Sequence, residues 1–288
     1  YMRAMTLRAS LNAAFIRDTL YLNCQTLAVK YAGNATRVKT GIGLDRANLA
    51  DRAIVGVRLI DCFSTAAHFG LAIASCRRVF VSNFVAHGQT GSVNGNPGQG
   101  IHLETTHDAT IDAGPLQDVV IDGFHLWNVS GTGISAVGPG LAGSTRNIER
   151  LFIWNGTIDN PGVSGIFTYK RNGAVRNERL SIKDVDVTGD KGVTLSQADG
   201  LQISDWENLT IDGNHIEDMY RNGINIAAGN LEAQISGNWV KDCNYNANVD
   251  GSFANFNIHR SAEMIFTSDN YSIFVDRTDP TFLPAAVN

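Results

Sequence analysis

Apolar and polar positions along this chain alternate in short bursts, and the bursts recur about every thirty residues. A glycine leads an alternating triplet at Gly41 (GIGL), Gly70 (GLAI), Gly100 (GIHL), Gly133 (GISA), Gly165 (GIFT), Gly192 (GVTL) and Gly223 (GINI). The steps between them are 29, 30, 33, 32, 27 and 31 residues. A second series runs in phase, with triplets centred on Leu22, Val55, Val81, Ile121, Ile153, Ile182, Ile211 and Ile235, most followed by another apolar residue five positions on. Each triplet has the period of two of a half-buried strand, and the five-residue step changes phase, which requires a bend. Gly123, Asn155, Asp184, Gly213 and Gly237 occupy that bend, residue types that accept left-handed backbone angles at least cost.

Each repeat therefore reads as three short strands separated by turns. It is too short to hold crossover helices, and such a unit cannot bury its apolar face without a neighbour. The economical arrangement is a coil in which every strand pairs in parallel with its copy in the next turn. The expected fold is all-β: a single-stranded right-handed parallel β-helix of about eight coils and three parallel sheets, roughly 40 Å long at the usual strand spacing. Residues 19–277 form the solenoid, residues 1–18 an N-terminal cap and residues 278–288 an exit tail. Residues 2–17 fit either a helical or an alternating pattern, and a helix or irregular cap over the open sheet edge is the preferred reading.

With those residues in view, the chain resembles the right-handed parallel β-helices of the pectate-lyase-like superfamily over roughly residues 19–275. That group includes polysaccharide lyases, polygalacturonases, sugar epimerases and trimeric phage tailspikes. The resemblance implies a polysaccharide partner, and the tailspike depolymerases imply a homotrimer in an extracellular or virion-associated setting. Polygalacturonases of the group carry Asn-Thr-Asp, Asp-Asp and Gly-His-Gly motifs at the glycine-led strand. Here Thr40, Phe69, Gln99, Thr132, Ser164, Lys191 and Asn222 precede the glycines, with no paired Asp. The clustered Asp ligands and Arg base of a pectate lyase are missing as well, although Lys191 and Arg221 fall on adjacent coils.

Composition narrows the partners. The 288 residues carry a net charge of −5, which argues against a nucleic-acid groove and leaves neutral and acidic glycans both open. No stretch approaches the roughly eighteen uninterrupted apolar residues of a membrane span. Cys24, Cys62, Cys76 and Cys243 lack metal-ligand spacing and are read as buried free thiols. No metal or cofactor is called for. The chain opens at Tyr1 without an initiator Met or a signal-type segment and is expected to be a trimmed portion of something longer.

In a stacked coil, residues at one offset in successive repeats become neighbours, so the sequence can be read as a surface map. On the glycine-led strand the outward rows are Gly43, Ala72, His102, Ser135, Phe167, Thr194, Asn225 and Asp45, Ala74, Glu104, Val137, Tyr169, Ser196, Ala227. Phe167 with Tyr169 forms an aromatic platform, with His102 and Glu104 two coils away. The strand after the bend is richer: His125 and Trp127, Thr157 and Asp159, Asp186 and Thr188, His215 and Glu217, Trp239 and Lys241. Three carboxylates flanked by tryptophans suit a carbohydrate groove.

Glycoside hydrolysis needs a proton-donating carboxyl and an ionised one, about 5 Å apart for retention or about 6.5 to 9.5 Å for inversion. Asp159 and Glu217 share an offset two coils apart, about 9.6 Å by strand spacing. The expected roles are Glu217 as acid and Asp159 or Asp186 as base, in an endo-acting polysaccharide hydrolase. A non-catalytic glycan-recognition or structural spike is the first alternative, and a lyase or epimerase the second. Trp154, between Asp122 and Lys183, marks a more distant candidate face. The longest loops, 86–99, 105–118 and 138–147, fall on neighbouring coils and are expected to wall a groove or a subunit contact.

Overall fold

The computed structural model describes residues 5–8, 15–17, 20–22, 25–26, 42–45, 53–65, 68–89, 97–105, 115–138, 147–169, 176–190, 199–243, 256–258 and 263–273. All strand pairs among them are parallel, and each strand pairs with its counterpart one turn of chain earlier and later. One sheet has nine strands, in the order Met5–Arg8, Ile42–Asp45, Phe69–Ala74, Gln99–Glu104, Ile134–Val137, Ile166–Tyr169, Leu201–Ile203, Ile224–Ile226 and Phe256–Ile258. The other has fifteen strands and carries both the segments before the bend and those after it. The chain is a parallel β-helix of nine described rungs, one more than expected. Crossovers between parallel strands are right-handed almost without exception, which gives the winding its hand.

The three expected sheets are three faces built on two hydrogen-bonded sheets. In Arg77–His87, Leu116–Trp127, Ile148–Asp159 and Asn177–Thr188 the strand continues through the bend without losing its neighbours. The bend residues take the left-handed backbone that their types predict, with φ of 72° at Gly123, 53° at Asn155, 51° at Asp184, 66° at Gly213 and 63° at Gly237. Beneath it runs a buried asparagine ladder. Asn214 donates to Asn238 Oδ1 at 2.8 Å and Asn238 to Asn270 Oδ1 at 2.9 Å, and their amide groups also reach the backbone carbonyls of Ile182, Ile211 and Ile235. Polar groups inside a fold are tolerable on this condition of full pairing.

The interior is made of aliphatic stacks. Leu59, Val81, Ile121, Ile153, Ile182, Ile211 and Ile235 lie in register, all fully buried. Leu59 rather than Val55 belongs to this row, since Val55 pairs with Arg77; at the next rung down Tyr21, not Leu22, faces Leu59. Large and small residues alternate where space demands. Phe124 fills the room above Gly156, whose hypothetical Cβ would stand 2.2 Å from the Phe124 ring. Trp206 is fully buried and donates its indole N–H to Thr168 Oγ1 at 2.8 Å.

The glycine ladder has a steric cause. A Cβ on Gly70, Gly100, Gly133, Gly165 or Gly200 would stand 2.5 to 2.7 Å from the carbonyl oxygen of the glycine in the next rung. Gly192 is a correction to the sequence reading. The strand that pairs with Ile166–Thr168 is Leu201–Ile203, so Gly200 holds the ladder position and Gln202, not Thr194, follows Phe167 in the outward row. Gly192, Thr194 and Ser196 lie outside the described residues, as do Lys191, the central parts of the three long loops and the tail 278–288.

At the N-terminal end, Met5–Arg8 pairs with Ile42–Asp45 and Phe15–Arg17 with Ala53–Val55, both in parallel. The alternating reading of this segment therefore holds at these residues, and the helical one does not. Cys62, Cys76 and Cys243 are buried, and Cys24 lies outside the described residues. No helix among the described residues is long and apolar enough to cross a membrane.

Two predictions follow from this packing. Gly133→Ala places its methyl 2.6 Å from Ile158 Cγ2 and 2.7 Å from the Gly165 carbonyl oxygen. It is expected to lower stability by about 1 to 3 kcal/mol, read as a fall in the urea midpoint. Burial pushes the Cys243 thiol up to about 12 from its ordinary value of 9.0. The thiol is then neutral when folded while the unfolded chain ionises, so stability falls as pH rises from 9 toward 12. Urea titrations across that range should show this slope in the wild type and a shallower one in Cys243→Ala.

Candidate functional site

The strand after the bend alternates inward aliphatics with outward polar and aromatic residues, and parallel pairing in register turns the outward ones into two rows. One row is Val85, His125, Thr157, Asp186, His215, Trp239 and Tyr271. The other is His87, Trp127, Asp159, Thr188, Glu217, Lys241 and Ile273. The sequence-derived register is therefore the observed one across all five candidate rungs. Asp159 and Glu217 share a row with Thr188 between them, which puts their backbones about 9.6 Å apart.

Histidines stand beside the acids. His125 Nε2 donates to Asp159 Oδ2 at 2.8 Å. His215 sits between the other two carboxylates, with Nδ1 3.9 Å from Asp186 Oδ1 and Nε2 3.9 Å from Glu217 Oε2. Neither distance is a hydrogen bond, and His215 Nε2 is buried without a hydrogen-bond partner. Lys241 Nζ lies 3.8 Å from Glu217 Oε2. The side chains of Glu217, Asp159 and Asp186 are 29, 37 and 62% exposed, so Glu217 is the most sheltered acid.

Aromatic rings close both ends of this acidic stretch. Trp127 lies between two imidazoles, its ring centroid 4.6 Å from that of His87 and 4.5 Å from that of His125. At the other end His215 stacks on Trp239 at 4.7 Å, and Trp239 pairs in register with Tyr271. Trp239 is 44% and Tyr271 66% exposed, costly positions for large rings without a partner. His87 and Tyr271 are additions to the set read from sequence.

The glycine-led face differs from its expectation. The predicted neighbours hold, with His102, Ser135 and Phe167 in one row and Glu104, Val137 and Tyr169 in the other. Phe167 and Tyr169 form the expected ring pair at 4.8 Å. Glu104, Ser135 and Val137 are buried, however, and His102 is spent on neighbours. It stacks on Phe69 at 4.6 Å, contacts Gln99 Oε1 at 2.9 Å and Ser135 Oγ at 2.7 Å, and lies 3.4 Å from Glu104. His102 and Glu104 thus belong to a closed polar network rather than to an open groove lined with Phe167 and Tyr169.

The face before the bend carries Asp122, Trp154 and Lys183 in one row, as read. Trp154 is tied down through its indole N–H to Ser181 Oγ at 3.1 Å, and Lys183 lies 3.5 Å from Asp212. Arg150 grips Asp118 at 2.5 and 3.2 Å, and this carboxylate raises the guanidinium above its already high value. Arg221 lies 3.8 Å from the buried Asp199. Among the described residues no group of three or more His, Cys, Asp or Glu side chains is arranged to hold a metal.

The sequence matches no protein-family model and no curated protein. Among solved structures it is similar to the GH136 lacto-N-biosidase from Eubacterium ramulus. The selenomethionine form is 9% identical, with a TM-score of 0.42, covering 93% of this chain and 59% of that one. The native form is 10% identical, with a TM-score of 0.39, covering 94 and 61%. A family 28 exopolygalacturonase of Yersinia enterocolitica is 12% identical, with a TM-score of 0.32, covering 82 and 46%. The chain spans less than two thirds of each of these proteins. At such values the likeness carries no argument about chemistry, and the β-helix stands on the strand pairing itself.

Proposed function

We propose that the face after the bend binds a polysaccharide laid along the rod and hydrolyses it at an internal glycosidic bond. The observation that carries this reading is the shared row of Trp127, Asp159, Glu217 and Lys241, with Trp239 and Tyr271 beside its far end. From Trp127 to Trp239 is four rungs, about 19 Å, long enough for a run of several sugars. The row runs on past both tryptophan rungs, to His87 at one end and Ile273 at the other, which suits an endo-acting enzyme.

In this proposal Glu217, the most sheltered carboxyl, delivers a proton to the leaving oxygen. Asp159, held as an acceptor by His125, takes a proton from the attacking water. The two-rung backbone separation of about 9.6 Å lies close to the wide end of the carboxyl range that leaves room for that water, and the inverting arrangement goes with it. Asp186, next to His215, is the alternative base. The rings at either end hold sugar faces by stacking.

A second reading has its own support. The acids are substantially exposed, Asp186 most of all, and a proton-transfer group open to water lacks the shelter on which such catalysis relies. The same face would then recognise a glycan without cutting it. A homotrimer, in an extracellular or virion-associated spike, goes with either reading.

Reducing-end release from a panel of capsular polysaccharides and lipopolysaccharides separates the two. Glu217→Gln is expected to lower cleavage by about a hundredfold or more while leaving binding within a few-fold. Trp239→Ala should do the reverse, weakening binding first. Full activity in Glu217→Gln rules out this acid, and binding without cleavage of any glycan favours the recognition role. Light scattering on the eluting peak is expected to give three times the chain mass; a monomer would remove the trimer.

A further inference from the structure

The charge of the same face restricts which glycans it accepts, an inference that rests on the carbohydrate reading above. Among the described residues, the acids in the two outward rows of the central rungs are Asp159, Asp186 and Glu217, with Asp190, Asp218 and Asp242 just past the strand ends, and Lys241 is the only lysine or arginine in those rows. That lysine lies 3.8 Å from Glu217 and is already committed to one of the three. Asp184, exposed in its left-handed position at the bend, adds a fourth carboxylate beside Asp186.

Among the described residues the other cations stand elsewhere: Arg176 and Arg179 precede the bend, and Arg221 lies 3.8 Å from Asp199. Arg58, Arg77 and Arg78 lie before the bend at the N-terminal rungs, Arg150 is held by Asp118, and Lys183 faces Asp212. The titratable groups that do face the site are His87, His125 and His215. A carboxylate, sulfate or phosphate on a sugar laid over this row would meet like charge on successive rungs, and among the described residues of the two rows Lys241 is the one cation to receive it.

We infer that the glycan of this face carries no acidic groups: its sugars are neutral or bear amino groups. Acidic chains are excluded by repulsion from Asp159, Asp184, Asp186 and Glu217.

The test uses bacterial surface polysaccharides in pairs, each acidic polymer beside its carboxyl-reduced form, together with neutral polymers. Binding is measured by biolayer interferometry and cleavage by reducing-end release, at low and high salt. The expected result is a preference of about tenfold or more for reduced over acidic members, shrinking as salt screens the face. Asp184→Asn, which touches neither member of the proposed acid and base pair, should narrow that preference. Acidic parents bound as tightly as their reduced forms at low salt, or a preference unmoved by salt and by Asp184→Asn, overturn the inference and leave the carbohydrate reading standing. Failure to bind or cleave any polymer, neutral ones included, overturns both.

Discussion

At one corner of five successive rungs the backbone of this protein passes so close to the rung above that no side chain fits between them. The carbonyl oxygen of one glycine occupies the space where the preceding glycine would carry a Cβ, at 2.5 to 2.7 Å from Gly70 through Gly200. This contact is between backbones and is the same at each level. It therefore fixes how far the chain has advanced after one turn, however long the intervening loop. Gly165 to Gly200 takes 35 residues and Gly200 to Gly223 takes 23, yet Ile166, Leu201 and Ile224 stand in one column.

A column fixed in this way has a cost for charged residues. Parallel pairing in register stacks like on like, as it does for Glu149, Glu178 and Glu207 in three consecutive rungs. Relief comes from close neighbours: Glu149 has Arg150 beside it at 3.6 Å and receives a hydrogen bond from Gln117, one rung away in the same column. On the face after the bend the same logic spaces the acids with threonines and sets histidines beside them, His125 diagonal to Asp159 and His215 between Asp186 in its own row and Glu217 on its own strand. The geometry that suits a carbohydrate row and the geometry that makes such a row tolerable to the fold are the same.

The period alone was enough to place Asp159 and Glu217 two rungs apart, because one register governs every column. It misled where two glycines satisfied one pattern: Gly192 keeps the spacing even, while Gly200, followed by Leu-Gln-Ile, is the residue the backbone uses. A left-handed row at Arg78, Asp118, Arg150, Arg179, Asn208 and Glu232 was not legible, because arginine and glutamate seldom adopt that conformation and carry no signal for it. Tyr271 could have been found. Ser236-Gly-Asn-Trp and Ser268-Asp-Asn-Tyr repeat one motif, and Asn238 and Asn270 are successive steps of the buried amide ladder. The burial of Glu104 and Ser135 was beyond a reading that treats every outward position as solvent.

Because neighbouring rungs meet through matching columns, the distance between the two aromatic ends of this face is quantised. Gaining or losing one rung between Trp127 and Trp239 would lengthen or shorten it by a single strand spacing, while the corner glycines, the aliphatic columns and the asparagine ladder continued across the join. Divergence among proteins built on this plan can thus proceed by counting as well as by substitution, with the length of chain they grip set by how many coils separate two aromatic ends.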